Sequence, residues 1–342
     1  MKRVNEKFAL GKLKHDYLAQ LLSEIEIQDS RVISGSKIGE DAAVIDIPGK
    51  NYLVAKTDPI TFATDEIGYY AVIVNVNDLV CTGAKPKWFQ STILLPPNFT
   101  TSNMIEKIFN DIHNTCKSME ITVIGGHTEV TPGLTRPIVI GSLIGEVDKN
   151  KLVLTSGAES GDALILTKGI FIEGTSIIGR EKEKDLIEKG FNHNFIEKCK
   201  DYLYNPGISV LNEALLANNH FQIKAMHDPT EGGLATGIAE MTIASNTGVL
   251  IDETKIKILP EPLELSKMFN LNPLNTISSG SLLIAIEEDY SIELIELMKN
   301  NNIYAEKIGK FLSKESGLKI KEKEGKTIPL EYSETDEITK IF

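Results

Sequence analysis

Carboxylates gather where apolar runs begin and end between residues 38 and 86. Glu40 and Asp41 stand just before the apolar run 42–47, Asp58 closes a second run at 52–57, and Asp78 lies in a helix-like segment beside Asn75 and Asn77. Carboxylates placed at strand ends can converge on one hard cation. Magnesium carrying a nucleotide phosphate suits such a site, because it keeps waters and takes few carboxylates together with phosphate oxygens. Any one of these aspartates would serve equally as a turn former or helix cap. Their concentration in a single stretch favours a site.

A second stretch, IKAMHDPTEGGL at 223–234, reads as a strand (223–226) entering His227-Asp228 and then Pro229, Thr230, Glu231, Gly232 and Gly233. A strand, an acidic glycine turn and a helix start together present a helix N-terminus to a phosphate, with Asp228 placed to hold a cation. His227 is either a general acid or base or a structural residue at the strand end. At 121–124 a short strand runs into Gly125-Gly126-His127-Thr128-Glu129, where two glycines let backbone N–H groups approach an anion or make a plain tight turn. Lys12, after Gly11, is a phosphate contact or a surface lysine. Gly325-Lys326-Thr327 imitates the end of a P-loop, but Ile320 stands where that motif needs glycine, and no G-x-G-x-x-G occurs.

The elements that must hold these groups alternate between strand and helix. Pro48-Gly49 and Asp58-Pro59 bound the first two strands. A helix over 66–82 puts Ile67, Tyr70, Ala71, Val74 and Leu79 mostly on one face, and Gly83 and Pro86 end it. Asn75 and Asp78 share a face of that helix and need a buried partner. A strand at 89–95, a helix at 103–119 with a capping box from Glu106 to Asn103, and a strand at 137–147 follow. Cys116 reads as a small core residue of that helix. Polar, glycine-containing text at 149–162 marks a domain boundary, giving domains 1–150 and 151–342. Beyond it come strands at 163–167, 277–286 and 303–311, a helix at 207–217, and a charged run, REKEKDLIEKG, expected as a solvated face.

With 342 residues the chain exceeds one ordinary core, which stops growing at roughly 250–300 residues. The net charge of −12 excludes a nucleic-acid partner that would need a basic face. No apolar run of about 18 residues predicts a membrane span, and the first residues lack the apolar core of a signal peptide. Three scattered cysteines form neither a disulfide framework nor a zinc pattern, which suits a reducing cytoplasm.

As a set, GEDAAV at 39–44, KTDPIT at 56–61, NVNDLVCTGAKP at 75–86, GGHTE at 125–129 and HDPTEGGL at 227–234 resemble the successive signatures of the aminoimidazole ribonucleotide synthetase superfamily. The resemblance covers nearly the whole chain. It implies a two-domain, mixed α/β (α+β) fold: an N-terminal domain that pairs with a second subunit into a β-barrel, and a C-terminal α/β sandwich domain. It also implies a homodimer, ATP and Mg²⁺ in the cleft, and attack on the γ-phosphate by a small-molecule substrate. By position, Asp41, Asp58 and Asp78 would be the magnesium and phosphate carboxylates, and Asp228 with its turn (Thr230, Gly232, Gly233) would close the site. Asp58, Asp78, His127 and Asp228 are the catalytic expectation. Lys12, Asn75, Gly125, Gly126 and Thr128 are the nucleotide contacts, and Glu129 or His127 supplies a further metal or phosphate contact. The wording is similar to the hydrogenase-maturation dehydratase branch, but that enzyme's carrier cysteine at the C-terminus has no counterpart here, since the last cysteine is Cys199. The expected activity is therefore ADP-forming phosphorylation or phosphate activation of another small molecule. The alternatives are a kinase like thiamine-monophosphate kinase, or a nucleotide-binding accessory protein that docks a partner.

Overall fold

Apolar strands buried on one or both faces set the architecture. The structure is a computed structural model describing residues 13, 15–35, 37, 39–61, 63–333 and 335–342. Lys12 lies outside the described residues. The first half runs α1 (His15–Ser23), β1 (Val32–Ser34), β2 (Ala43–Asp46), β3 (Asn51–Ile60), α2 (Ile67–Cys81), β4 (Lys85–Leu95), α3 (Ser102–Ser118), β5 (Thr122–Val130) and β6 (Ile138–Asp148). Its six strands make one sheet in the order β1-β2-β3-β6-β4-β5, antiparallel except for the parallel β4–β5 pair. β6 alternates between buried and half-buried residues, as a strand with one covered face should. Within one chain this sheet stays open, with β1 and β5 as its edges.

The second half runs β7 (Ala163–Thr167), α4 (Ile172–Glu181), α5 (Glu183–Glu188), α6 (His193–Asp201), α7 (Leu211–His220), β8 (Ala225–His227), α8 (Gly233–Ser245), β9 (Gly248–Asp252), α9 (Pro260–Phe269), β10 (Leu283–Ile286), α10 (Ser291–Asn300), β11 (Ala305–Leu312), β12 (Leu318–Lys321) and β13 (Thr327–Pro329). These seven strands form a mixed sheet, β13-β12-β9-β11-β7-β10-β8. Residues of β7 divide between two cores with a period of two. Ala163 and Ile165 join the core that continues into the first domain, while Leu164 and Leu166 face Leu234, Ile238 and Met241 of α8. The fold is thus a two-domain mixed α/β structure whose second domain sandwiches a sheet between helices.

Three local expectations need correction. The Asp58-Pro59 signal does not end β3, which continues to Ile60 with Asp58 opposite Gly141 and Pro59 opposite Ile140 of β6. Pairing with β2 has already stopped at Ala55, so Pro59 sits where β3 has a neighbour on one side only, the kind of strand position at which proline is tolerated. Gly125-Gly126 make no turn: β5 runs straight through them, with Val123 opposite Phe89 and Gly125 opposite Gln90, which leaves Ile124 as a bulge. A Cβ on Gly126 would lie 2.2 Å from the Ser91 carbonyl oxygen, so only glycine fits there. α3 is capped by Thr101, whose Oγ1 accepts from the Met104 N–H at 3.3 Å, rather than by Asn103. The charged run after Arg180 is the expected solvated face, part of it carried by a short helix, α5, in which Leu186 alone is buried.

α2 is buried almost all round, including Asn75, Asn77 and Asp78. The reason is position: it packs between its own sheet and α7 and β8 of the second domain. Asn77 ties the two domains, its Nδ2 donating to the Ile208 carbonyl at 2.7 Å and its Oδ1 accepting from the Val210 N–H at 2.9 Å. No helix among the described residues is long and apolar enough to cross a membrane.

Candidate functional site

The acidic residues of both domains meet in one cavity of about 420 Å³, lined among others by Asp41, Lys56, Asp58, Asp78, Glu173, His227, Asp228 and Thr230. Lys56 and Asp58 are two residues apart on β3 and so share a face. Asp78 comes from α2, Asp41 from the turn into β2, and His227-Asp228 from the end of β8. Lys56 Nζ lies 2.7 Å from Asp78 Oδ2 and 3.3 Å from Asp58 Oδ2. Burial disfavours its ammonium, but Asp78 and Asp58 outweigh that and hold the lysine above its usual value. Burial pushes the Asp78 carboxyl up to about 6 against the pull of Lys56, with Asp58 and Asp41 adding to the rise.

Asp228 is 1 % exposed, its Oδ2 has no hydrogen-bond partner, and burial, Asp78 and Asp41 hold its carboxyl well above the carboxylate range. Its Oδ1 lies 3.8 Å from Cys81 Sγ, and burial followed by Asp228 drives that thiol up as well. Ligand atoms of Asp41, Cys81 and Asp228 all fall within 4.8 Å of one another. An orphaned buried carboxylate oxygen in that position fits a cation, because it is costly in any other state. The residues present therefore suit a divalent metal held mainly by oxygen.

His227 is not poised as an acid or base. Nδ1 is 2.9 Å from Asp41 Oδ2 and Nε2 is 2.9 Å from Glu240 Oε2, so both nitrogens donate and the ring is an imidazolium. Burial opposes that charge, but Asp41 and then Glu240 raise the ring well above its ordinary value. Asp41 is fixed further by Thr155 Oγ1 at 3.5 Å, and Glu40 accepts from the Thr155 and Ser156 N–H groups at 3.3 Å each.

The opposite wall carries Glu173 from the first turn of α4, with Tyr70, Ile177, Ile277 and Ser279 around it. Glu173 Oε2 is buried without a hydrogen-bond partner, and desolvation lifts the carboxyl from 4.5 to about 7 despite a hydrogen bond from Ser279. A carboxyl held neutral by the fold binds more protons folded than unfolded between those two values. Its contribution to stability is whole below 4.5 and falls as pH rises toward about 7. Glu173→Gln is expected to cancel that fall, so that the variant gains on wild type by up to about 3 kcal/mol between pH 4.5 and 8. Denaturant titrations across that range check it, and a constant difference would show that Glu173 is ionised throughout.

The cavity brings together Asp41, Asp58, Asp78, Asp228 and Thr230 and leaves out the other expected residues. Asn75 lies beneath it, its Nδ2 donating to the carbonyls of Ala71 at 2.8 Å and Asp58 at 3.4 Å. Gly232 and Gly233 do not offer an open helix N-terminus, because the Gly232 N–H donates to Asp336 Oδ2 at 2.6 Å. Gly125, Gly126, His127, Thr128 and Glu129 lie along β5, exposed at every position, with His127 Nε2 3.0 Å from Glu129 Oε2. They do not line the cavity of their own chain. Lys56, Glu173 and Glu240 line the cavity and Cys81 lies beside Asp228, and sequence reasoning missed all four. For Lys56 the signal was available, since it stands two residues before Asp58 on the same strand face.

Comparison with known proteins adds relatives. The AIR synthase related protein N-terminal domain model matches residues 39–147, and the C-terminal domain model of the same description matches 159–321. A hydrogenase expression/formation protein of Methanocaldococcus jannaschii is 31 % identical over 327 residues, covering 93 % of both chains. Selenide, water dikinase of the same organism is 24 % identical, covering 96 % of this chain and 100 % of the relative. The solved structure of hydrogenase maturation protein HypE in complex with ATP has a TM-score of 0.67 at 18 % identity, covering 97 % of this chain and 100 % of the other.

Proposed function

The chain belongs to the AIR synthase related protein family, and on that premise we propose an ATP- and Mg²⁺-dependent enzyme that phosphorylates or phosphate-activates a small molecule, releasing ADP. The observation that carries this reading is the convergence of Asp41, Asp58, Asp78 and Asp228, from two domains, in a single cavity, with the Lys56 ammonium between Asp58 and Asp78. Phosphoryl transfer asks a protein mainly for positioning and charge neutralisation. Asp41 and Asp228, faced by Asp58 and Asp78, would hold magnesium, which when bound neutralises phosphate oxygens. Lys56 supplies a further positive charge, the His227 imidazolium keeps Asp41 in place, and the half-apolar wall around Glu173 receives the substrate. HypE, which shares the fold, takes ATP, as its complex states. In this proposal residues 1–150 bind nucleotide and 151–342 close over it.

The fully exposed edge strand β5, with Val123, Ile124 and Val130 outward, suits pairing with the same strand of a second copy. In that homodimer His127, Thr128 and Glu129 would act across the subunit boundary. Three buried free cysteines fit the reducing cytoplasm that the sequence leads one to expect.

The test is ATP hydrolysis with Mg²⁺, wild type against Asp58→Asn, with and without a pool of cell metabolites. Asp58→Asn is expected to cut the metabolite-stimulated rate by about 10²-fold or more. Equal rates in the two proteins would sink the enzyme reading in favour of a nucleotide-binding accessory protein.

A further inference from the structure

Four carboxylates around one cavity carry charge enough for two divalent ions, which two-metal phosphoryl sites place about 3.5–4 Å apart. In this chain part of that charge is met from within. Lys56 Nζ stands 2.7 Å from Asp78 Oδ2 and 3.3 Å from Asp58 Oδ2, with side chains only 18 % (Lys56) and 6 % (Asp78) exposed. The strand fixes this arrangement, because Lys56 and Asp58 share a face of β3 and α2 lays Asp78 against it. A divalent ion between Asp58 and Asp78 would have to displace an ammonium that two carboxylates hold within 3.3 Å, or share them with it against the repulsion of like charges, which is costly. The other two carboxylates differ. Asp228 Oδ2 has no hydrogen-bond partner, and His227 and Thr155 both engage Oδ2 of Asp41 rather than Oδ1.

We propose that the Lys56 ammonium is the resident counter-cation of Asp58 and Asp78, so that the chain takes a single divalent ion, seated at Asp41 and Asp228, where a two-metal site would take a pair. Lysine suits the place as a compact point charge on a flexible stem. The role of Lys56 toward a phosphate rests on the phosphoryl-transfer reading, whereas the ion count does not.

The probe is Mn²⁺ alone, titrated into the full chain while paramagnetic resonance reports the free ion. Wild type and Lys56→Arg are expected to bind about one Mn²⁺ per chain tightly, and Lys56→Met about two. Two ions in wild type, or one in a Lys56→Met protein that melts cooperatively, overturns the proposal. Should Lys56→Met fail to fold, Asp78→Asn decides: retention of the single tight ion supports the assignment, and its loss overturns it. Calorimetric titration of a non-hydrolysable ATP analogue is run in parallel. If the analogue does not bind while the Mn²⁺ counts follow the expected pattern, phosphoryl transfer fails and the Lys56 assignment stands.

Discussion

Asp228→Asn is expected to melt higher than wild type in EDTA and to lose about 10²-fold or more of Mg²⁺-ATP turnover. Both effects come from one carboxylate. Asp228 is 1 % exposed, its Oδ2 has no hydrogen-bond partner, and its closest charged neighbours include Asp78 and Asp41. A buried charge without a hydrogen-bond partner costs about 1–3 kcal/mol or more, and an amide of the same shape never carries the charge that burial, Asp78 and Asp41 disfavour. In a chain of this size that amounts to a rise of a few degrees. Because the raised carboxyl is protonated at low pH, its penalty grows as pH climbs, and the gap between variant and wild type should widen toward alkaline pH. Saturating Mg²⁺ should reverse the order, since an ion that binds only the folded wild type stabilises it by mass action. Melting curves with EDTA and with Mg²⁺, read beside steady-state rates, check both halves. A variant that melts lower than wild type in EDTA would mean Asp228 is a structural partner rather than a ligand held at a cost.

How much of this site a reader of the sequence sees depends on how local the signal is. The pairing of Asp41 with the turn into β2, and of Asp228 with the end of β8, follows from apolar runs meeting acidic turns. The course of β3 does not, because Asp58-Pro59 imitates a turn and only the absence of β2 beyond Ala55 lets the strand continue. The Gly125-Gly126 pair misled for a related reason. Glycine marks close approach of backbones as readily as it marks a turn, and which it is depends on Ser91 of β4, which sits 35 residues before Gly126 at a distance no local window covers. Lys56 was legible from its two-residue spacing to Asp58, but a lysine beside an aspartate is usually a surface pair, and only its burial against α2 gives it weight. Glu240 was out of reach altogether. It lies on α8 amid apolar residues, and its role appears once His227 is seen to bridge it to Asp41. The opposite error occurred at Gly232, where a helix start that suits a phosphate turns out to be capped by Asp336 from the far end of the chain.

His227→Leu should be the most destabilising single change in the cavity. The imidazolium stands between Asp41 and Glu240, 2.9 Å from each, with side chains only 5 %, 11 % and 10 % exposed for His227, Asp41 and Glu240. Removing the middle charge takes from two buried carboxylates a cation that both contact, a loss of about 3–5 kcal/mol. Leucine keeps most of the volume, so cavity formation is a minor part of that figure. The sign with pH follows from the raised histidine: the triad's contribution is whole below 6.5 and fades as pH rises through the higher value of the folded ring. Wild type should therefore lose stability in alkaline buffer by a route that His227→Leu no longer shows. Glu240→Gln in the His227→Leu background should recover about 1–2 kcal/mol, because it removes one of the two buried negative charges that the imidazolium had joined, whereas Glu240→Gln alone destabilises. Additive single and double effects would mean that the three groups do not act as one ion triad. Because the same triad orients Asp41 toward Asp228, loss of the imidazolium should weaken the tight Mn²⁺ site as well as the fold. A variant that binds the ion as wild type does would separate the clamp from the metal.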